Sequence, residues 1–517
     1  MKYLASILAC LALATTAFPP AVFAATKVAS VTHHHITWTF DKEHTVGQFV
    51  TGDPWVLGPV KIVAITNDLN DPALPVLEGE GGSMINPTVD NSSFGASQKQ
   101  GYDEKLQNYS EELNAGRPNG QALSKNNPIV LTPGQSLVTS VPWLKGGVRP
   151  PTYLGGSIRA MSVLTCLAEA PPEGSFRPTF AGAEKKIFNV SQLRPDRLLK
   201  LDPVGHLTND PLPVGATPLY LQPPIPGTHK PAPLTIAALL RATQRPWVNH
   251  VPGWYGGEQL NPTENLPNYG RAKAAVLTQA MLALQLDWDK IEGKPKKDEL
   301  MHNLAQIGID LTGVADAGGY WPADGGHGHT RLPAILFAGL LLDDEHMKNA
   351  GHWDTRFQDT EQTLYVTEEM VERTQAAWEN NAEKLATGFH TFLPYTKDMI
   401  GMPEWSIQPL STDPRFGFGG AGWLIGYRDI NASAIPGFAL VFLMMEDGRK
   451  LFKHDAYFDY ADRLKSSGEP LFNPWHNRPP ALTQAMWTAY RNQFPSAYDK
   501  KWDAPAILEY ITQPKAQ

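Results

Sequence analysis

The stretch that decides the fold is Ala334-Ile335-Leu336-Phe337-Ala338-Gly339-Leu340-Leu341-Leu342, which contains no polar side chain. Residues 332–344 around it have the three- and four-residue apolar spacing of a helix. Because the segment is apolar nearly all round, we expect a helix buried inside a double layer of helices. Other segments with helical spacing follow Leu234 along the chain: 234–244, 270–288, 297–315, 368–387, 434–445, 451–466 and 480–493.

These helical segments alternate with long loops rich in Gly, Trp, Tyr and His. Antiparallel helix pairs with loops gathered at one end predict an (α/α) toroid-like domain over residues 234–517, although a decorated helical bundle has similar periodicity. Nine prolines lie between Pro203 and Pro233, and such a segment is stiff and extended. We therefore interpret residues 195–233 as a linker that runs over the surface between two domains.

The first part of the chain has the period-two pattern of strands. Residues 36–40, 55–57, 60–65 and 162–167 are β-rich and are separated by Gly-, Asn- and Pro-rich turns. Short strands at this spacing predict an antiparallel β-sandwich domain over residues 25–194. We interpret His33-His34-His35 as the lead-in to the first strand, because adjacent side chains of a strand point to opposite faces and cannot share one metal ion.

The first 24 residues have the composition of a secretory signal peptide. Lys2 precedes an apolar run that ends at Pro19-Pro20, and small residues stand before a cleavage point at Ala24. The run is shorter than the ~20 residues that span a bilayer. We expect a periplasmic or secreted protein without membrane insertion. Cys10 would leave with the signal, so that Cys166 remains alone and no internal disulfide forms.

Composition excludes several classes of protein. The chain of 517 residues has a net charge of −8, which becomes −9 without Lys2, and an acidic chain is a poor general binder of nucleic acid. Its 42% hydrophobic and 10% aromatic residues exclude a disordered chain. The sequence contains no phosphate-binding loop, dinucleotide fingerprint, nucleophile elbow or His-Glu-x-x-His motif.

The densest polar cluster is residues 316–331, a glycine-rich loop between two predicted helices. His327 and His329 are separated by a single glycine, so both imidazoles can face one point in an extended backbone. One of them can transfer protons while held by Arg331 or Asp324. Together with Asp324 they can also bind a divalent metal ion. The third interpretation is that they cap the following helix.

Two further loops carry residue types suited to carbohydrate. Aromatic side chains supply flat apolar faces for sugar rings, while Asn, Arg and His bind hydroxyl and carboxylate groups. Individual tryptophans in such loops are also common core anchors. The candidates are Trp254, Tyr255, Asn268, Tyr269 and Arg271 in one loop, and Tyr427 and Arg428 in the other.

An exported sandwich joined by a proline-rich linker to a helical toroid, with such loops, resembles the secreted polysaccharide lyases built on an (α/α) toroid. The resemblance implies β-elimination on a uronic-acid-containing polysaccharide or oligosaccharide. In those enzymes Asn, Arg or His neutralises the uronate carboxylate. A Tyr or His then removes the C5 proton, and a Tyr or His protonates the leaving oxygen.

The resemblance suggests a role for each candidate side chain. His327 or His329 serves in neutralisation or as the base, and Tyr269 or Tyr320 serves as base and acid. Arg331 and Arg271 bind the substrate carboxylate. The remaining candidates for substrate binding are Asn268, Trp254, Tyr255, Trp321, Tyr427 and Arg428.

Two other functions fit the same features. A glycoside hydrolase on the same toroid would use paired carboxylates as acid and base, and burial of Asp310 in an apolar helix would raise its pKa as a general acid requires. A non-catalytic glycan-binding protein would use the aromatics alone. The carboxylate candidates are Asp310, Asp316, Asp324, Glu258, Glu264 and Glu404.

Overall fold

A computed structural model describes most of the strands and helices of the chain. The statements below concern these residues alone. The described ranges are 25–69, 82–87, 102–103, 108–109, 123–142, 158–182, 185–204, 207–211, 234–244, 246–248, 270–323, 325–385, 395–405, 432–466 and 480–498.

The molecule is a mixed α and β protein in which the larger sheet comes first in the sequence. This sheet has eight strands in the order β5-β9-β10-β3-β2-β4-β8, with β1 paired to β2. A short hairpin, β6–β7, lies between its strands in the sequence. The strands are β1 (Thr26–His33), β2 (Ile36–Gln48), β3 (Pro54–Leu57), β4 (Val60–Asn67), β5 (Gly82–Ile85), β6 (Tyr102–Asp103), β7 (Asn108–Tyr109), β8 (Ile129–Leu131), β9 (Ser136–Pro142) and β10 (Ile158–Leu167).

The long strand β2 organises this sheet. Strands β3 and β4 pair with successive parts of β2 in the antiparallel sense, and β1 forms a hairpin with it. The sheet is strongly curved, since Trp38 Nε1 of β2 donates to Thr139 Oγ1 of β9 at 3.0 Å. Cys166 of β10 likewise reaches the Leu131 carbonyl of β8 at 3.8 Å. The concave side therefore encloses an apolar core of its own.

Two expectations for this region need correction. The described strands form one curved eight-stranded sheet, whereas the predicted sandwich requires two facing sheets. The three histidines do not lead into the first strand: His33 ends β1, and His34 and His35 form the tight turn to β2 with left-handed φ values of 49° and 69°. Alternation of side chains reveals strands, but it does not reveal how many sheets they form.

The helices follow from residue 236 onward, with two short two-stranded pairings among them. No helix of the described residues is both long and apolar enough to cross a membrane. The elements are β11 (Leu207–Thr208), β12 (Leu234–Thr235), α1 (Ile236–Thr243), α2 (Gly270–Leu284), α3 (Asp298–Asp316), α4 (Arg331–Leu342), α5 (Glu345–Lys348), α6 (Gln358–Glu361), β13 (Thr363–Tyr365), α7 (Glu368–Leu385), β14 (Pro403–Trp405), α8 (Ile435–Met444), α9 (Gly448–Phe452), α10 (Asp455–Ser466) and α11 (Ala481–Tyr490).

Helix α4 is buried along its whole length, as its sequence predicts, and even Arg331 is inaccessible to solvent. It packs closely on α3: a Cβ added to Gly308 would lie 2.2 Å from the Ala338 Cβ and 2.8 Å from the Ala334 carbonyl oxygen. The absence of a side chain at Gly308 therefore lets the two helix backbones approach each other. A ring of helix pairs, as in a toroid, stays a prediction.

The predicted linker begins as a packed segment. Leu201 exchanges backbone hydrogen bonds with Gln285 and Asp287 at the end of α2, and Arg194, just before the linker, donates its backbone N–H to the Leu341 carbonyl of α4. Residues 212–233, which hold most of its prolines, lie outside the described residues. The described start of the linker thus lies against the helices.

A buried arginine joins the sheet to the helices. The Arg177 guanidinium lies 3.2 Å from the Asp53 carboxylate, in the turn between β2 and β3, and 2.6 Å from the Asp310 carboxylate of α3. Burial opposes its charged form, but the charges of Asp310 and Asp53 outweigh burial and raise the pKa of Arg177. Burial also raises the pKa of Asp310 to about 6, against the opposing charge of Arg177. The three charges therefore depend on one another.

We predict that Arg177→Met strongly destabilises the protein, because it leaves two buried carboxylates without their cation. Breaking a buried ion pair by removing one partner costs about 3–5 kcal/mol. Urea unfolding followed by circular dichroism measures the loss. Arg194→Met, which removes an exposed arginine paired with Asp196, is the matched control and should leave the unfolding midpoint unchanged. An equal midpoint for the two variants would contradict this role of Arg177.

Candidate functional site

The structure describes about half of the candidate site residues. Arg271, Tyr320, Trp321, His327, His329 and Arg331 lie within the described ranges, as do Asp310, Asp316 and Glu404. The other candidates lie outside the described residues: Trp254, Tyr255, Glu258, Glu264, Asn268, Tyr269, Asp324, Tyr427 and Arg428.

The two candidate loops that precede α2 and α4 meet at one place. Helix α2 begins at Gly270, and a Cβ added there would lie 2.0 Å from the His327 carbonyl oxygen. Because only a glycine permits this approach, the first turn of α2, which carries Arg271 and Lys273, lies directly against His327. The described ends of both loops therefore share one site.

Arg331 holds the histidine loop from inside. Its Nη1 donates to the carbonyl oxygens of His327 at 3.0 Å and of His329 at 2.6 Å. Burial lowers the pKa of the guanidinium to about 10, and the charge of Asp359 opposes this effect. Arg331 thus binds the backbone of its own loop and is closed to solvent. We expected it to bind a substrate carboxylate directly, and the structure gives it this internal role instead.

A second element holds the loop from the other side: residues 356–362, here called the anchoring segment. Gln358 Oε1 accepts the Gly328 N–H at 2.7 Å, and Gln358 Nε2 donates to the Gly325 carbonyl at 2.9 Å. Gln362 Nε2 donates to the same carbonyl at 2.6 Å, and Glu361 accepts the Ala323 N–H. These side-chain bonds fix a glycine-rich backbone that would otherwise have wide conformational freedom.

Asp359 of the anchoring segment caps helix α4. Its carboxylate oxygens accept the Thr330 N–H at 3.0 Å and the Leu332 N–H at 3.3 Å. A carboxylate is favoured there because the N-terminus of a helix has a partial positive charge. The carboxylate also lies 3.8 Å from Nδ1 of His329, which is 1% exposed. One carboxylate therefore fixes the helix start beside a candidate histidine.

The backbone at Thr330 is strained. Its φ of 96° is rare for a residue with a branched side chain, and such conformations cost about 1–3 kcal/mol and cluster at functional sites. Thr330 Oγ1 and both ring nitrogens of His329 are buried without a hydrogen-bond partner among the described residues. A merely structural loop has no need of such costs, so these features mark the region as a candidate site.

His327 is the partly exposed histidine of the pair and is surrounded by cationic side chains. Burial lowers the pKa of His327 to about 3, and the charges of Arg331 and Lys273 add to this effect. Lys273 itself is fully buried. His327 is therefore a neutral imidazole at neutral pH, close to two cations and to the partly exposed Arg271.

The two aromatic candidates of this loop differ in exposure. Trp321 is 2% exposed and stacks on Phe357 with ring centroids 5.8 Å apart. It is a core residue, and a sugar ring cannot stack on it in this conformation, contrary to our prediction for it. Tyr320 is partly exposed. Of the two, Tyr320 alone is placed to meet a ligand.

The described carboxylates proposed for a hydrolase all have structural partners. Asp310 binds Arg177 in the core, and its pKa is raised as expected, although it is closed to solvent. Glu404 is buried beside Arg463 at 3.1 Å. Asp316 pairs with His346 at the surface. The described residues contain no group of three His, Cys, Asp or Glu side chains able to hold a metal ion.

Comparison of the chain with protein-family models, with curated proteins and with solved structures finds no match. The function must therefore be argued from the residues and their geometry. Three of these residues were missed in the sequence: Lys273, Gln358 and Asp359. Lys273 lies in an alanine-rich helix, where a buried lysine looks like a solvated one. Gln358 and Asp359 lie in a single helical turn without any diagnostic pattern.

We predict that the His327 imidazole does not titrate between pH 5 and 8, and that Lys273→Met raises its pKa by removing one nearby charge. The pKa of His327 is about 3, below the ordinary 6.5. The folded state thus binds fewer protons than the unfolded state between these values, and His327 lowers the stability as the pH falls from about 6.5 towards 3. Histidine NMR signals followed against pH, with His327→Gln for assignment, measure both effects. A wild-type midpoint near 6.5 would contradict them.

Proposed function

We propose that the protein is a periplasmic or secreted carbohydrate-active enzyme, a polysaccharide lyase that cleaves a uronic-acid-containing polysaccharide by β-elimination. Its helical part would be an (α/α) toroid-like domain. One observation carries the proposal: the first turns of α2 and α4 bring Arg271, a neutral His327 and the buried cations Lys273 and Arg331 to one place. This set of groups fits an anionic substrate that must lose a proton.

The chemistry of β-elimination explains why these groups belong together. The C5 proton of a uronate is weakly acidic until the negative charge that develops beside the carboxylate is stabilised. Arg271, which is partly exposed, binds the substrate carboxylate. Lys273 and Arg331 are buried, so their positive field reaches the carboxylate through a medium of low dielectric constant. In this proposal they stabilise the developing charge without touching the sugar.

His327 is the candidate base. A neutral imidazole accepts the C5 proton, and its low pKa prevents protonation before substrate binds. A bound carboxylate counters the charges of Lys273 and Arg331, which raises the pKa of His327 towards the working pH. Tyr320, or Tyr269 directly before Gly270, donates a proton to the leaving oxygen. The elimination then yields an unsaturated uronyl end and a new reducing end.

The glycoside hydrolase is less well supported, because its described carboxylate candidates are engaged by Arg177, Arg463 and His346. A metal ion is left out of the proposal, since Lys273 and Arg331 repel a cation at His327. The glycan-binding function remains as an outcome of the assay below.

We expect the purified mature protein to form unsaturated uronyl product from one of alginate, glucuronan or the glycosaminoglycans. Absorbance of the unsaturated product and reducing ends are followed together, with neutral glycans as controls. Absorbance and reducing ends that rise together support a lyase. Reducing ends without absorbance would contradict it and favour a hydrolase, whereas binding without either signal would favour a glycan-binding protein.

We predict that His327→Gln lowers kcat about 100- to 10,000-fold, the usual contribution of a general base. Arg271→Gln should chiefly raise KM, because it removes a contact to the substrate carboxylate in the ground state as well. His346→Gln, at an exposed pair with Asp316, is the control and should retain wild-type kinetics. A fully active His327→Gln variant would remove His327 from the mechanism.

A further inference from the structure

We propose that Asp359 is a positioning residue for His327. It touches neither the substrate nor the base but sets the conformation of the backbone that carries the base. This inference rests on the proposed function for its kinetic readout, and it adds a residue without any counterpart in the sequence prediction. The argument uses the hydrogen bonds of Asp359, the burial of Arg331 and the strain at Thr330.

The capping of α4 is unusual in its source. The N-cap position is Thr330, whose own side chain makes no capping hydrogen bond. A threonine in the ordinary extended conformation would cap the helix by itself. Here the carboxylate of Asp359, 27 residues beyond Leu332, takes the Thr330 and Leu332 N–H groups instead. Capping from outside the loop permits the left-handed φ of Thr330.

Asp359 also makes the burial of Arg331 tolerable. Burial lowers the pKa of Arg331, and Asp359 provides the opposing negative charge. The charged guanidinium then binds the carbonyl oxygens of His327 and His329. Loss of the carboxylate charge removes both the helix cap and the counter-charge, so that the two bonds to the loop weaken together.

The position of His327 follows from these restraints. Its carbonyl is bound by Arg331, the next N–H along the chain, that of Gly328, is bound by Gln358, and Thr330 is bound by Asp359. The backbone on the C-terminal side of His327 is thus fixed at successive residues. The residue that carries the proposed base has little freedom, as preorganised catalysis requires.

The test compares two carboxylates that cap helices. Asp359→Asn keeps the shape but removes the charge, and Asp344→Asn does the same at α5, where Asp344 accepts the Met347 N–H at 2.9 Å. We expect both variants to lose stability, measured by urea unfolding. Only Asp359→Asn should lower kcat, about 10- to 100-fold, with KM within twofold of wild type. Asp359→Glu should recover part of the loss.

Histidine NMR gives a second readout that needs no substrate. We expect the His327 ring signals to shift in Asp359→Asn and to stay unchanged in Asp344→Asn. Gln358→Leu, which removes the bond to the Gly328 N–H, should shift the same signals if Asp359→Asn fails to fold. Unchanged His327 signals in the folded Asp359 or Gln358 variants, or equal kcat losses at Asp359 and Asp344, would overturn the positioning role.

The two readouts also separate this proposal from the proposed function. If the wild type forms no unsaturated product from any uronic-acid polymer, the lyase proposal fails, and the NMR comparison still decides whether Asp359 positions His327. If the wild type is active and Asp359→Asn keeps its full kcat, the positioning role fails while the lyase proposal stands.

Discussion

The rest of the candidate site depends on one constraint, the complete burial of Arg331 at the start of an otherwise apolar helix. A guanidinium without water must find acceptors in the protein. Arg331 finds them in the carbonyl oxygens of His327 and His329, and its counter-charge in Asp359. The loop must therefore fold over the end of α4, and His327 is held beside the first turn of α2.

A second buried arginine has the equivalent role at the sheet. Arg177 joins Asp53 of the sheet to Asp310 of α3, and α3 in turn packs along α4 through Gly308. The sheet thus supports the helix on which the site is built. Both arginines follow the same physical rule: a buried charge is tolerable only when its partners are fixed, so each one also fixes the parts of the fold that it joins.

The sequence predicts the helices of the core well, because burial on every side leaves an apolar run such as residues 334–342. It also predicts the loop that holds His327 and His329. It does not reveal that Trp321 and Arg331 are buried, because exposed and buried copies of these side chains look alike in a sequence. Strand β1 has mostly exposed side chains and so shows no apolar alternation. The anchoring segment is too short for a periodic pattern, and only the fold brings it to the loop.

The most direct test of the central claim is the response of His327 to a ligand. Uronic-acid oligosaccharides are added at pH 7 to protein with ¹⁵N-labelled histidine, and the ring signals are followed by NMR. We predict that the His327 signals move towards those of a protonated imidazole as the oligosaccharide saturates the site, while those of the distant, exposed His346 stay in place. Saturable binding that leaves the His327 signals unchanged would contradict the account.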